Sequence, residues 1–280
     1  MDLEKSVSRY YDRNTKRFMK FGQGGKTGSI HRSVFSHKNM TRQDAFRYHE
    51  NNILNIINKA PPSIVVDLGC GTGGSISYLA SKYKARYHGI TISPIQYKMA
   101  EYLTEDPDIS ISLGSYLDNS SYEKIKSIKG RKLFFAVESY LHCPDRKKFF
   151  KILKMQTKPG DILIISDDFK SNEENITKSD LGDIQDFING WHAAELQGLD
   201  EVQDLAYSCD FKLLENIELT KWLEIDRPRD FLICLLVPLL RIFRLKNSWW
   251  QNLLGGNALR KGLKKGWLSY RFFVWKRSFR

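Results

Sequence analysis

From Ser63 onward the chain alternates between short apolar runs and longer segments whose apolar residues recur every three to four positions. The first kind reads as buried strands: SIVVDLGC, ARYHGITIS, ISISLGS, KLFFAVES, GDILIISDD and FKLLENIELT. Between them, SISYLASKY, PIQYKMAEYL, DRKKFFKILKM and ELQGLDEVQDLAYSC carry the helical period. This alternation specifies a mostly parallel sheet with helices on both faces, a doubly wound α/β fold. Upstream, helices are expected near Glu4–Met19 and Gln43–Asn58, joined by a Gly-rich loop. Beyond Thr220 a helical, basic and aromatic insert precedes a last strand, SYRFFVWKR, that should return to the sheet. The expected organisation is one structural domain in three parts: an N-terminal helical cover over 1–60, a core over 61–220, and the insert with its strand over 221–280.

Charge changes the picture in one place. The net charge is +12, and residues 221–280 hold 14 Lys/Arg against three Asp/Glu. The other 220 residues hold 30 against 29. A tail this basic can meet nucleic acid, anionic lipid or a diphosphate. Here the charges are mixed with buried-type apolar residues and form no open polar patch, so no nucleic-acid partner is expected. Cys70, Cys143, Cys209 and Cys234 show neither a C-x-x-C pair nor metal-ligand spacing, which implies reduced thiols, a cytoplasmic location and no protein-held metal. The opening MDLEKSVSRYYDRNTKRF is too charged for a signal peptide. The apolar run Phe231–Leu240 is ten residues long, against the roughly 20 a bilayer crossing needs.

In VVDLGCGTGGS, a buried strand ends in Asp67 and is followed by Gly69, Gly71, Gly73 and Gly74 at a helix start. Glycines there let backbone approach a ligand closely. A dinucleotide fingerprint would place G-x-G-x-x-G directly after the strand. An acid ahead of the glycines suits a ligand with a positively charged amino-acid end instead. D-x-G-x-G-x-G at a first strand resembles motif I of the class I S-adenosylmethionine (SAM) methyltransferases, which implies SAM as cofactor and a Rossmann-like sheet. GQGGKTGS is no P-loop, because Lys20 stands where that pattern needs glycine and no strand precedes it.

The second strand ends GITISPIQ. It resembles the G-[VI]-T-[LI]-S-x-x-Q segment of the cyclopropane-fatty-acid, sterol and tocopherol methyltransferases, which implies cofactor contacts from Thr91, Ser93 and Gln96. LGSYLD after the third strand offers Ser115 and Tyr116 near the adenine. The fourth strand ends in VESYLHCPD, with Glu138, His142, Pro144 and Asp145 in an E-x-x-x-H-x-P-D pattern similar to that of sterol and tocopherol methyltransferases. Ligands of open α/β sheets bind outside the carboxyl ends of the strands, so Glu138 is expected beside the reactive methyl. A buried carboxylate can stabilise the cation left when an alkene takes that methyl, and can then accept its proton. His142 is expected to orient Glu138 or to join a proton relay.

YYDRNTKRFMKFGQGGKTGSIHR resembles the segment preceding motif I in sterol and isoprenoid C-methyltransferases. Tyr11 is thereby expected at SAM, and Tyr10 and His31 at the substrate. Phe21 stands where sterol enzymes favour Trp, and their acidic pattern is missing, which argues against a sterol. Trp191, Trp222, Phe231, Phe243, Trp249, Trp250 and Trp267 supply apolar and π surfaces, with Trp191 the choice for the pocket. Arg32, Arg47, Arg227, Arg229, Arg241 and Arg244 are interleaved with them, and arginine forks suit phosphate oxygens; Arg32 and Arg47 are the candidates for substrate contact. Residues from about Tyr10 to Lys276 resemble bacterial geranyl and farnesyl diphosphate C-methyltransferases. The resemblance implies a prenyl diphosphate substrate, room for Mg²⁺ on it, and a homo-oligomer. Two other readings stay open: methylation of a membrane lipid or quinone, with residues 231–245 along an anionic membrane surface, and a non-catalytic SAM-binding module.

Overall fold

A computed structural model describes residues 3–21, 27–171, 176–227, 230, 233, 234, 236, 237 and 248–279, without the side chains of Phe21, Ser248 and Trp249. Its strands are β1 (Ile64–Leu68), β2 (Arg86–Thr91), β3 (Ile109–Leu113), β4 (Lys132–Val137), β5 (Ile162–Lys170), β6 (Phe211–Glu218) and β7 (Leu268–Arg277). They form one sheet in the order β3-β2-β1-β4-β5-β7-β6. The first five are parallel, and β7 runs antiparallel between β5 and β6. The expected doubly wound sheet and the return of the last strand are both present.

The helices are α1 (Leu3–Phe21), α2 (Arg42–Phe46), α3 (Tyr48–Lys59), α4 (Gly74–Ala80), α5 (Pro94–Leu103), α6 (Arg146–Gln156), α7 (Lys178–Trp191), α8 (Leu199–Ser208) and α9 (Ser248–Lys265). Period-two side chains divide the core in two. Val65, Leu133, Phe135 and Ile164 point to the face covered by α3, α4, α7 and α9. Val66, Phe134, Ala136 and Leu163 point to the face covered by α6 and α8.

Caps set the helix starts around the site. Ser93 accepts Gln96 N–H at 3.1 Å with Pro94 following it, and Asp145 accepts Lys148 N–H at 2.8 Å. Two expectations need correction. The helix expected over Gln43–Asn58 is two, broken at Arg47, whose φ/ψ of −91°/12° is non-helical. The stretch 178–191, not foreseen as a helix, is α7, opened by a Thr177–Asp180 capping box. Glycines bring α7 against α9: a Cβ on Gly255 would lie 2.4 Å from Trp191 Cδ1.

Candidate active site

The strand order reverses between β1 and β4, and the loops leaving their carboxyl ends carry Asp67–Gly71 and Glu138–His142. Two chambers open there. The smaller, about 90 Å³, is lined by the β1 and β2 ends and by Glu4, Val7 and Tyr11 of α1. The larger, about 440 Å³, runs outward between α1, α7 and α9. Tyr11, Ser29, Ile30, His31, Glu138 and His142 line both.

The smaller chamber fits the amino-acid and ribose parts of SAM. Gly69, at φ 101°, turns the chain where a Cβ would lie 2.4 Å from that of Ser139. The amides of Gly69 and Cys70 donate to the Ile90 carbonyl, both at 2.9 Å. Asp67 is buried without a side-chain hydrogen bond to the described residues, and burial, with Glu50 nearby, pushes its carboxyl pKa up. A bound ammonium group would complete it. Thr91 Oγ1–H donates to Gln96 Oε1 at 3.0 Å, which leaves the Gln96 amide donors for ribose hydroxyls. Ser115 donates to Glu4 and accepts from Leu117 N–H at 2.9 Å. Tyr116 donates to the Ser139 carbonyl at 3.1 Å. Ser93 departs from expectation: it lines neither chamber, and its hydroxyl caps α5 and donates to Asp12 at 2.6 Å.

Glu138 stands at the junction in left-handed backbone, φ 51°, a conformation that costs a non-glycine residue energy and recurs at functional sites. Its N–H donates to the Ser166 carbonyl at 2.8 Å. Oε1 accepts from Arg32 N–H (3.0 Å), Arg32 Nε–H (2.8 Å) and Tyr270 O–H (2.9 Å). Oε2 has no hydrogen-bond partner among the described residues. Although burial opposes ionisation, Arg32 outweighs it and draws the Glu138 pKa down to about 2. The Arg32 guanidinium also holds Asp168 bidentately (3.1 and 2.9 Å) and lies 4.0 Å over the Tyr270 ring.

His142 does not bond Glu138, so of its two expected roles it does not orient that carboxylate directly. Its Nδ1–H donates to the His192 carbonyl at 3.1 Å, so Nε2 accepts from Tyr11 O–H at 2.9 Å. Burial lowers the His142 pKa to about 4, which keeps that tautomer neutral. His31 is held between the Glu50 carboxylate (3.0 Å) and the Arg32 carbonyl (3.2 Å). Burial opposes its charge, but Glu50 raises the pKa overall. Tyr10 and Trp191 line the larger chamber, and the Tyr10 ring packs tilted at 48° against His192 with centroids 4.8 Å apart. Arg47 lines neither chamber. It bonds Glu50 and the Thr27 carbonyl, both at 2.9 Å, and sits 4.4 Å from the Tyr78 ring centre.

Sequence reading missed Asp167, Asp168 and Tyr270 around Glu138, and Arg17 and Arg260 in the larger chamber. Asp167 and Asp168, two acids ending a buried strand, were visible as such in GDILIISDD. Tyr270 was not, since the β5–β7 pairing that sets Asp168 opposite it brings it to Glu138, and His49 Nε2 of α3 lies 3.0 Å from its hydroxyl. Of the aromatic candidates, Trp267 is core and Trp222 packs at its edge. Phe231, Arg229, Arg241, Phe243 and Arg244 lie outside the described residues, as does most of 231–245. Among the described residues no helix is long and apolar enough to cross a membrane, and no cluster of three or more His, Cys, Asp or Glu side chains stands ready for a metal.

Comparison with known proteins agrees with this fold. The model of the family described as mycolic acid cyclopropane synthetase matches residues 2–222. The 2-methyl-6-phytyl-1,4-hydroquinone methyltransferase of Synechocystis is 30% identical over 171 residues, covering 59% of this chain and 48% of that protein. The chain spans about half the length of the first curated relatives it matches. The fold matches a cyclopropane synthase of Mycobacterium tuberculosis, with TM-score 0.74, 14% identity and 97% of each chain covered. It also matches geranyl diphosphate C-methyltransferase of Streptomyces coelicolor, solved with Mg²⁺, geranyl diphosphate and S-adenosyl-L-homocysteine (TM-score 0.69, 12% identity, 99% of this chain and 98% of that one). The chain belongs to the mycolic acid cyclopropane synthetase family and, with it, to the SAM-dependent methyltransferases.

Proposed function

We propose that the protein is a SAM-dependent C-methyltransferase that methylates an alkene carbon of an isoprenoid, a prenyl diphosphate. The observation that carries this reading is the meeting of the two chambers at a carboxylate with one free oxygen. SAM supplies an electrophilic methyl on a positively charged sulfur. The alkene π pair forms the bond to that methyl carbon, and the C–S pair stays on sulfur. The tertiary carbocation left on the neighbouring carbon faces Glu138, ionised and held on its Oε1 side. Its Oε2 accepts a proton from the adjacent carbon, and that C–H pair becomes the new double bond. Tyr10, Tyr11 and Trp191 line the way to it with π faces suited to a cation. His142 fixes the Tyr11 hydroxyl by accepting its hydrogen bond at Nε2.

The larger chamber joins apolar walls to Arg17, Arg227 and Arg260, a match for an apolar chain with an anionic head. The geranyl diphosphate held by a neighbour of the same fold supports the same class; Mg²⁺ would enter with the diphosphate. The Synechocystis relative's prenylated hydroquinone favours a second reading, a lipid or quinone acceptor. Incubation with methyl-labelled SAM, Mg²⁺ and C10, C15 and C20 prenyl diphosphates, beside extracted lipid and quinone, separates the two. Label in a prenyl alcohol after dephosphorylation is the expected result. Label only in lipid or quinone would replace it with the second reading.

A further inference from the structure

The larger chamber is graded along its length. At its inner end Arg32 is already shared by Glu138 and Asp168, with side-chain exposures of 19%, 11% and 1%. A diphosphate there would face two carboxylates, and pulling Arg32 away would leave both uncompensated. At its outer end stand Arg227, after β6, and Arg260, on α9. Arg260 donates to Asp226 at 2.7 Å, and that carboxylate is 58% exposed, so this end faces solvent. Arg227 is braced by Asp230 (Nε to Oδ2, 2.8 Å). Asp226 is near solvent, where a carboxylate is screened and yields a guanidinium to a stronger anion at little cost. On α1, Tyr11 stands at the junction, and Arg17, six residues or about 9 Å further along the helix, lines only the larger chamber.

We infer that the prenyl diphosphate enters tail first, its diphosphate held at the mouth by Arg227 and Arg260 and a double bond remote from the diphosphate-bearing carbon presented to Glu138. This rests on the prenyl-diphosphate reading above and adds the position of reaction. The step is unchanged in its balance: the remote π pair bonds the methyl, sulfur keeps the C–S pair, and Glu138 takes the proton lost beside the cation. The double bond next to the diphosphate stays in the outer chamber, away from the methyl.

The test uses the full chain with ¹³C-methyl SAM, Mg²⁺ and farnesyl diphosphate, the product being dephosphorylated and its methyl located by NMR. The expected product carries the new methyl on the second or third isoprene unit. Arg227→Ala and Arg260→Ala are expected to raise KM for farnesyl diphosphate at least tenfold with the Kd for SAM held. Inorganic diphosphate should compete with substrate in the wild type and lose that competition in both variants. A methyl on C2 or C3 would overturn the orientation while keeping the prenyl-diphosphate reading. Undiminished competition by diphosphate in both variants would remove the arginines from the head-group site. No methylated product from any prenyl diphosphate, with SAM bound, would overturn the reading itself.

Discussion

The two chambers are built differently. The smaller is built mainly from short stretches at strand ends, Asp67 to Gly71 at β1, Ile90 to Gln96 at β2 and Gly114 to Tyr116 after β3, closed by α1, residues 29–31 and the end of β4. Much of its work is done by backbone amides and glycine conformations. The larger is made of side chains from α1, residues 29–33, the end of β4, β5, α7, the segment after β6, and α9, gathered from across the chain. The cofactor side is thus a local device and the substrate side a tertiary one. The first tolerates little change of backbone, while the second can be retuned one side chain at a time.

Four perturbations test that contrast. The largest effect is expected for Gly69→Ala, which puts a Cβ 2.4 Å from Ser139 Cβ at φ 101°. It should remove SAM binding and destabilise the fold by about 1–3 kcal/mol, read by calorimetric titration and thermal melting. A variant that binds SAM as the wild type does would refute the close-approach argument. Trp191→Ala should leave the SAM Kd unchanged and weaken substrate, with kcat/KM down about 100-fold for the loss of a large aromatic wall, ~3 kcal/mol. Equal losses in both measurements would mean the chambers are not separable. For His142→Phe, one hydrogen bond to Tyr11 is lost, and kcat should fall about tenfold with both binding constants retained. A value of kcat indistinguishable from wild type would show that the Tyr11 hydroxyl needs no orienting.

The smallest effect is in pH dependence. Glu138 and Glu50 are drawn to about 2 from 4.5, and His142 to about 4 from 6.5. Folded values below the unfolded ones give stability present above the unfolded pKa and lost as pH falls through the folded one. Asp167 has the opposite sign: burial raises it to about 8 from 3.8, so its contribution is present in acid and lost as pH rises towards 8. Melting temperature should therefore be highest in mildly acidic solution, falling as pH drops below about 4.5 and, on the alkaline limb, as pH rises from about 6.5 to 8. Asp167→Asn should flatten the alkaline side only. An unchanged alkaline limb in that variant would show that Asp167 does not titrate there.

The same contrast explains what was legible in the sequence. Asp67, Gly69, Gly71, Thr91 and Gln96 follow strands in fixed local patterns, and all five line the smaller chamber. Ser93 belongs to the same octet but faces Asp12, because a helix N-cap turns its hydroxyl inward to the first turn. Glu138 and His142 were recognisable as a pair, yet their spacing could not show that Arg32 binds the one and Tyr11 the other. Arg47 was assigned to substrate on composition. The break between α2 and α3 points it at Glu50 instead. Helix α7 escaped because Leu181 is exposed and the stripe of Ile184, Phe187, Ile188 and Trp191 is short, although T-K-S-D carries a capping signal. Tyr270 could not be found from sequence, since only antiparallel register against β5 brings it to Glu138.

The most direct test of the central claim is Glu138→Gln, assayed for SAM affinity and for methyl transfer in the same preparation. Glutamine keeps the shape at the junction but loses the negative charge and most of the basicity. The account predicts a SAM Kd within about threefold of wild type, under 1 kcal/mol, and turnover reduced by about 10²–10⁴-fold. Loss of SAM binding, or turnover that survives the substitution, would contradict it.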